Sequence, residues 1–292
     1  MAKPETTVGQ VLLARIEAQA AELAGLDDAV RADEPDAVHR MRVACRRLRS
    51  ALRTFRRLFT PGATDQLVAE LRWLAAALGG ARDREVLAER LAAEARELPA
   101  ECGPQRVAGA LERWGAAEYR QIWPEVVAAL DSPRRRALGD ALAVLLADPP
   151  LRPRAGRSAV PELSRIAARE QHRTAERVRT ALAAAPGERN VALHEARKAA
   201  KRARYAGETA APAVGGRAER YARRMKAVQD VLGEHQDAVV AASTLAEHAA
   251  GGGEPFGYGV LYGRQLATEE AARRRLPEVW RRAGKKKLAR FG

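Results

Sequence analysis

An all-α fold is what the sequence predicts, on two observations. Only three isoleucines, Ile16, Ile122 and Ile166, and 4% aromatic residues leave little of what strands are built from, whereas the helix formers Ala, Leu, Arg and Glu recur in long runs. Apolar residues also return with the 3.6-residue period of a helix between clear stop signals. At 292 residues the chain is long enough for two domains or one two-lobed unit, and either can bury a core.

In chain order, the period predicts a first helix over residues 6–32 and a second over 35–59, closed by Thr60-Pro61-Gly62. A third over 65–78 is expected to stop at Gly79-Gly80, followed by a fourth over 82–98. Helices over 104–130 and 133–147 each open on a proline, which is preorganised for a first turn. Residues 148–158, rich in Pro, Gly and Arg and without an apolar period, mark the boundary between a first half, 1–150, and a second, 158–292. The second half repeats the scheme with helices over 161–184, 190–210, 217–232 and 235–250. A Gly251-Gly252-Gly253 break then precedes closing segments over 256–275 and 277–282. Short connections favour antiparallel neighbours. The tail around Lys285, Lys286 and Lys287 reads as a disordered, solvated end.

Charge narrows the function classes. Fifty-one Lys and Arg against 37 Asp and Glu give a formal charge of +14, which implies an anionic partner: nucleic acid, a membrane surface or a phosphate polymer. No apolar run approaches the ~20 residues that span a bilayer, and residues 1–9 carry no apolar signal core, so a soluble, cytoplasmic protein is expected. Cys45 and Cys102 cannot make a disulfide framework or a four-cysteine metal site, and Cys45 is expected to pack in the interior.

An internal repeat carries the chemistry. His39, Arg42, Arg46, Arg47 and Arg49 align at an offset of 155 with His194, Arg197, Lys201, Arg202 and Arg204. At an offset of 154, Arg72 aligns with Lys226, Leu78 with Leu232, Gly79 with Gly233 and Asp83 with Asp237. Two related halves predict equivalent placement of the matched helices. At about 100° per residue, His39, Arg42, Arg46, Arg49, Arg53 and Arg56 fall within one arc of about 100°, opposite Met41, Ala44, Leu48, Leu52, Phe55 and Phe59. A solvated face normally mixes signs, because like charges one turn apart are unfavourable. Here residues 37–64 hold eight Arg and no acid, and the stretch between Glu195 and Glu208 holds five basic residues and no acid. Such repulsion, tolerated at matched positions, requires an anion to offset it. Arginine's planar fork suits phosphate oxygens, lysine adds a point charge and imidazole another donor. A stripe along a ~20-residue helix extends about 30 Å, which suits an extended anion.

These paired patterns, residues 39–53 and 193–205, each followed by Leu-Gly-x-x-x-Asp (78–83 and 232–237), resemble the CHAD family of conserved histidine α-helical domains. The resemblance covers essentially the whole chain. It implies two four-helix-bundle-like halves related by a pseudo-twofold axis around a basic central cavity that binds inorganic polyphosphate without catalysis. By that resemblance the ligand contacts are His39, Arg42, Arg46, Arg49 and Arg53 with His194, Arg197, Lys198, Lys201 and Arg204. Arg72 and Lys226 are the expected additional contacts. Arg53 has no basic counterpart, since Glu208 follows Gly207 in the second copy, so an asymmetric site is expected. No cofactor and no metal are implied, and the cytoplasm, at polyphosphate granules, is the implied location. The alternative is a nucleic-acid-binding helical protein. Sparse aromatics and the absence of a helix-turn-helix or zinc-finger signature weigh against it.

Three further features are weighed at sequence level. Arg47 and Arg202 fall off the stripe and are expected to pair with Asp83 and Asp237. Arg165, Arg169, His172 and Arg173 form a second basic edge that could extend the cavity, interrupted by Glu170 and Glu176. His235 and Asp237, two residues apart, do not face one way as metal ligands would.

Overall fold

The computed structural model describes residues 6–251 and 254–291, apart from the side chains of residues 81 and 82. Eleven α-helices make up the described chain: α1 Val8–Ala24, α2 Asp27–Arg31, α3 Ala37–Thr54, α4 Asp65–Ala77, α5 Gly79–Arg96, α6 Pro104–Asp131, α7 Pro133–Ala147, α8 Ala159–Ala183, α9 Pro186–Val214, α10 Gly216–Ala250 and α11 Pro255–Ala283. Among the described residues there is no strand, only two isolated bridges, Thr7 with Ser158 and Phe59 with Leu151. The fold class is therefore all-α.

Local chemistry sets several boundaries. Thr7 and Gln10 form a reciprocal capping box at the start of α1. Ser132 caps α7 through the Arg135 N–H, with Pro133 at the first helical position. Gly103, at φ +60°, makes the left-handed turn that admits α6.

Elsewhere tertiary packing overrides the stop signals. The predicted first helix is interrupted, because Gly25 caps α1 before α2 begins. The predicted second helix ends at Thr54, and Arg56 enters a 3-10 turn, Arg56–Leu58, which removes it from the stripe. Gly79-Gly80 does not end a helix: α5 begins at Gly79, with only Leu78 between it and α4. At the matched place Gly233 lies inside α10, one helix of 35 residues where two were expected. A glycine there costs about 1 kcal/mol relative to Ala. Burial of Val231 and Leu232 in the core offsets that cost. Pro277 likewise lies within α11, anchored by buried Ala272, Leu276 and Ala283. Of the predicted glycine break, Gly251 caps α10, and residues 252 and 253 lie outside the described residues.

One apolar core runs through both halves, from α1, α3 and α4 to α8, α9 and α10. The apolar face predicted for α3 is buried in it: Met41, Ala44, Leu48 and Leu52, continued by Phe55 and Phe59. The inner face of α9 is built of alanines, Ala196, Ala200, Ala203 and Ala206, which let neighbouring helices approach closely. A Cβ on Gly207 would lie 2.8 Å from the Tyr221 ring of α10. A second, smaller core joins the α5–α6 and α10–α11 hairpins through Leu91, Leu111, Leu245 and Leu261.

The C-terminal end is docked, against the expectation of a disordered tail. Lys286–Ala289 forms a 3-10 turn, Ala289 and Phe291 are buried, and the Phe291 ring meets Tyr221 edge-on at 5.9 Å. The Phe291 N–H donates to Ser164 Oγ.

Candidate functional site

The two basic stripes meet where α3 crosses α9. Arg46 Nε on α3 donates to the Tyr205 hydroxyl on α9 at 2.8 Å, and the Arg204 guanidinium lies 4.7 Å from the centroid of the Tyr205 ring. Lys201 stands half-buried in this crossing. Burial, then the like charges of Arg46, Arg197, Arg204 and Arg49, push its ammonium down to about 8 from an ordinary 10.5. On the other side of the crossing, burial followed by the fields of Arg53 and Arg72 lowers the proton affinity of Arg49. A guanidinium nevertheless stays charged.

Neutralisation stops at the edges of this group. Among the described residues, carboxylates lie within ion-pair distance of Arg42, Arg197, Lys198 and Arg204, and none lies within that distance of Arg46, Arg49, Arg53, Arg72 or Lys201. The Nε atoms of Arg49 and Arg197 are buried without a hydrogen-bond partner. Buried donors of this kind are costly unless something accepts from them. The crossing is thus a half-buried seam of positive charge with open donor capacity.

The matched acids hold different arginines from those expected. Arg42, not Arg47, takes Asp83, its Nη1 and Nη2 donating to the two carboxylate oxygens at 2.6 and 2.8 Å. Arg197, not Arg202, faces Asp237, at 3.8 Å. Gly-x-x-x-Asp is helical in both copies, with Leu78 the turn residue before α5 and Leu232 inside α10, so Gly and Asp share one face and meet the stripe. Arg202 instead lies 3.8 Å from Glu170, which is 1% exposed and also serves Arg169 and Arg173.

The second basic edge is committed in the same way. Arg165 joins Arg154 and Arg157 on buried Glu162, His172 lies 3.3 Å from Glu176, and Arg169 donates to the Thr54 carbonyl.

Other expected contacts sit around the rim. His39, Arg53 and Arg72 are exposed. His194 is fixed through Nδ1 by Gln236 Oε1 at 2.8 Å. Lys198 is exposed, 2.7 Å from Glu195, and Lys226 lies 2.6 Å from Asp230. Lys226 and Arg204 share a shallow pocket with Glu208, Glu219 and Arg223. Glu208, which breaks the repeat, lies 2.9 Å from Arg204 Nε and 3.5 Å from Arg15. A concavity of about 710 Å³ between α4 and α7, lined by Leu67, Leu138 and Val144 with Glu70 and Arg134, lies away from the seam.

Tyr205 and Gln236 were not legible as site residues. Tyr205 falls on the same helical arc as His194 and Lys201, about 20° from His194. Counting only charged residues hides it. Gln236, on another helix, carried no signal.

The CHAD domain model matches residues 14–246. The chain is 35% identical over 264 residues to the uncharacterized proteins MT2285 and Rv2226 of Mycobacterium tuberculosis, covering 89% of this chain and 50% of each relative. It therefore spans about half the length of these relatives. Among solved structures, PptA from Streptomyces chartreusis matches with a TM-score of 0.77 at 23% identity, over 94% of this chain and 100% of that one. The CHAD domain from the plant Ricinus communis matches with a TM-score of 0.71 at 26% identity, over 96% and 92%.

Proposed function

The chain belongs to the CHAD domain family, and from that premise we propose that it binds inorganic polyphosphate along the α3–α9 seam without transforming it. One observation carries this reading: Arg46, Arg49 and Lys201 at the crossing, with Arg53 and Arg72 at its rim, have no carboxylate in ion-pair range among the described residues, and burial and like charge together depress Lys201. An arrangement that opposes folding in the empty protein favours an anion that fills it. Phosphate oxygens match the arginine forks, and a chain of them matches cations spread along two helices.

The limited exposure of the inner cations favours a thin chain over a duplex. The side chains of Arg42, Arg197 and Arg204 are 22%, 25% and 13% exposed, too recessed for the wide backbone of double-stranded nucleic acid to engage them together. The groups at the crossing are cations and a phenol, with the His194 imidazole and the Gln236 amide at its rim, a set suited to holding phosphate. A cytoplasmic home, at polyphosphate granules, belongs to the same proposal.

Calorimetric titration with long-chain polyphosphate, beside single- and double-stranded DNA of equal phosphate content at two salt concentrations, tests it. Polyphosphate binding that persists at the higher salt while DNA binding is lost is the expected result. Equal affinities that collapse together would transfer the protein to the nucleic-acid reading, because open-surface phosphate binding is governed by counterion release alone.

A further inference from the structure

Arg42 and Arg197 occupy matched places in the two halves, and so do the groups that face them: Asp83 accepts two hydrogen bonds from Arg42, and Asp237 lies 3.8 Å from Arg197. Gly79 and Asp83 lie one turn apart on α5, and Gly233 and Asp237 lie one turn apart on α10. A Cβ on Gly79 would stand 3.5 Å from Arg42 Nη2, and one on Gly233 would stand 3.4 Å from Arg197 Nη2. A methyl would just touch the guanidinium, and a larger side chain would take its place. Both glycines are buried, so each arginine lies flat against bare helix with a carboxylate one turn further on.

From this we infer that Gly79 with Asp83, and Gly233 with Asp237, are positioning residues that aim the guanidiniums of Arg42 and Arg197 into the seam. The inference rests on the polyphosphate reading above and adds how two of its contacts are oriented.

The opposite role, an internal counterion that the ligand must displace, fits the geometry less well. Asp83 engages Arg42 end-on through one hydrogen of each Nη, which leaves three of the five guanidinium N–H groups for a ligand. The side chains of Asp83 and Asp237 are 65% and 64% exposed, whereas those of the arginines they face are 22% and 25% exposed. Water and salt therefore screen the carboxylates from an incoming anion far better than they screen the recessed guanidiniums. Holding a long side chain in its bound geometry removes an ordering cost from binding.

The two roles predict opposite signs. Asp83→Asn with Asp237→Asn raises the net charge by two, so a counterion role or charge counting alone requires tighter polyphosphate binding. Positioning requires weaker binding, about two- to tenfold for each arginine released. The salt slope should also fall by about one for each arginine that no longer engages phosphate. Gly233→Val provides a second variant that changes no charge and blocks the guanidinium's seat, and it too should weaken binding. Titration of the full chain with long-chain polyphosphate, with helical content checked by circular dichroism, reads all of these. Tighter or unchanged binding by the Asn variant, or unchanged binding by Gly233→Val, overturns the positioning role while leaving the seam as the site. A wild-type protein that binds no polyphosphate overturns the reading of the seam and this inference with it.

Discussion

Replacing Lys201 by methionine should uncouple anion binding from protons. Burial and the fields of Arg46, Arg197, Arg204 and Arg49 set the ammonium near 8 in the free protein. A bound phosphate chain supplies the missing negative charge and returns the amine toward its ordinary 10.5. The sign follows directly: the complex holds the proton more tightly, so binding takes protons up and affinity falls as pH rises. Uptake should be about a tenth of a proton at pH 7, about half at pH 8 and about nine-tenths at pH 9. Affinity should drop about tenfold between pH 7 and pH 9, and the full span corresponds to at most about 3 kcal/mol of coupling. Calorimetry in two buffers of different ionisation heat measures the uptake, with long chains to keep titrating terminal phosphates a small fraction of the ligand. In Lys201→Met the uptake and the tenfold drop should vanish. Proton uptake that persists unchanged in the methionine variant, or affinity that rises with pH in the wild type, would refute the reasoning.

Tyr205→Phe removes the acceptor of Arg46 Nε and keeps the buried ring, so polyphosphate affinity should fall a few-fold while thermal stability changes little. Glu208→Gln should act in the opposite direction to the Asp83 and Asp237 changes, because Glu208 stands in line with the stripe against Arg204 and Arg15; tighter binding in the same titration is expected. Glu170→Ala leaves Arg169, Arg173 and Arg202 without their shared buried carboxylate and should cost about 3–5 kcal/mol in urea unfolding.

What the sequence made legible was whatever a single helix encodes. The apolar and basic faces of α3 follow from angular position alone, and Met41, Leu48 and Leu52 are buried as that position requires. The repeat marked Gly79, Asp83, Gly233 and Asp237 as matched pairs without indicating what they touch. Their partners depend on how α5 and α10 pass α3 and α9, and a helical wheel carries no such information, so Asp83, expected on Arg47, lies on Arg42 in the structure. Gly233 departs from expectation for a related reason: its local propensity argues for a break, and packing on both sides overrules it. The docking of Phe291 onto Tyr221 was hidden behind three consecutive lysines. Tyr205 stands on the arc of the basic stripe, where a pattern of charges alone does not register a phenol.

The central claim is that the unneutralised cations at the α3–α9 crossing are the binding site, and reversing two of them tests it most directly. Arg49→Glu with Lys201→Glu places carboxylates among Arg46, Arg53, Arg72, Arg197 and Arg204, so folding is relieved rather than strained. The account predicts that polyphosphate binding falls by at least about a hundredfold, since about 1.4 kcal/mol is tenfold and two attractive charges become repulsive. Helical content should be unchanged and the melting temperature no lower than that of the wild type. Affinity retained within a few-fold in a folded double variant would contradict the claim and place the binding site elsewhere on the protein.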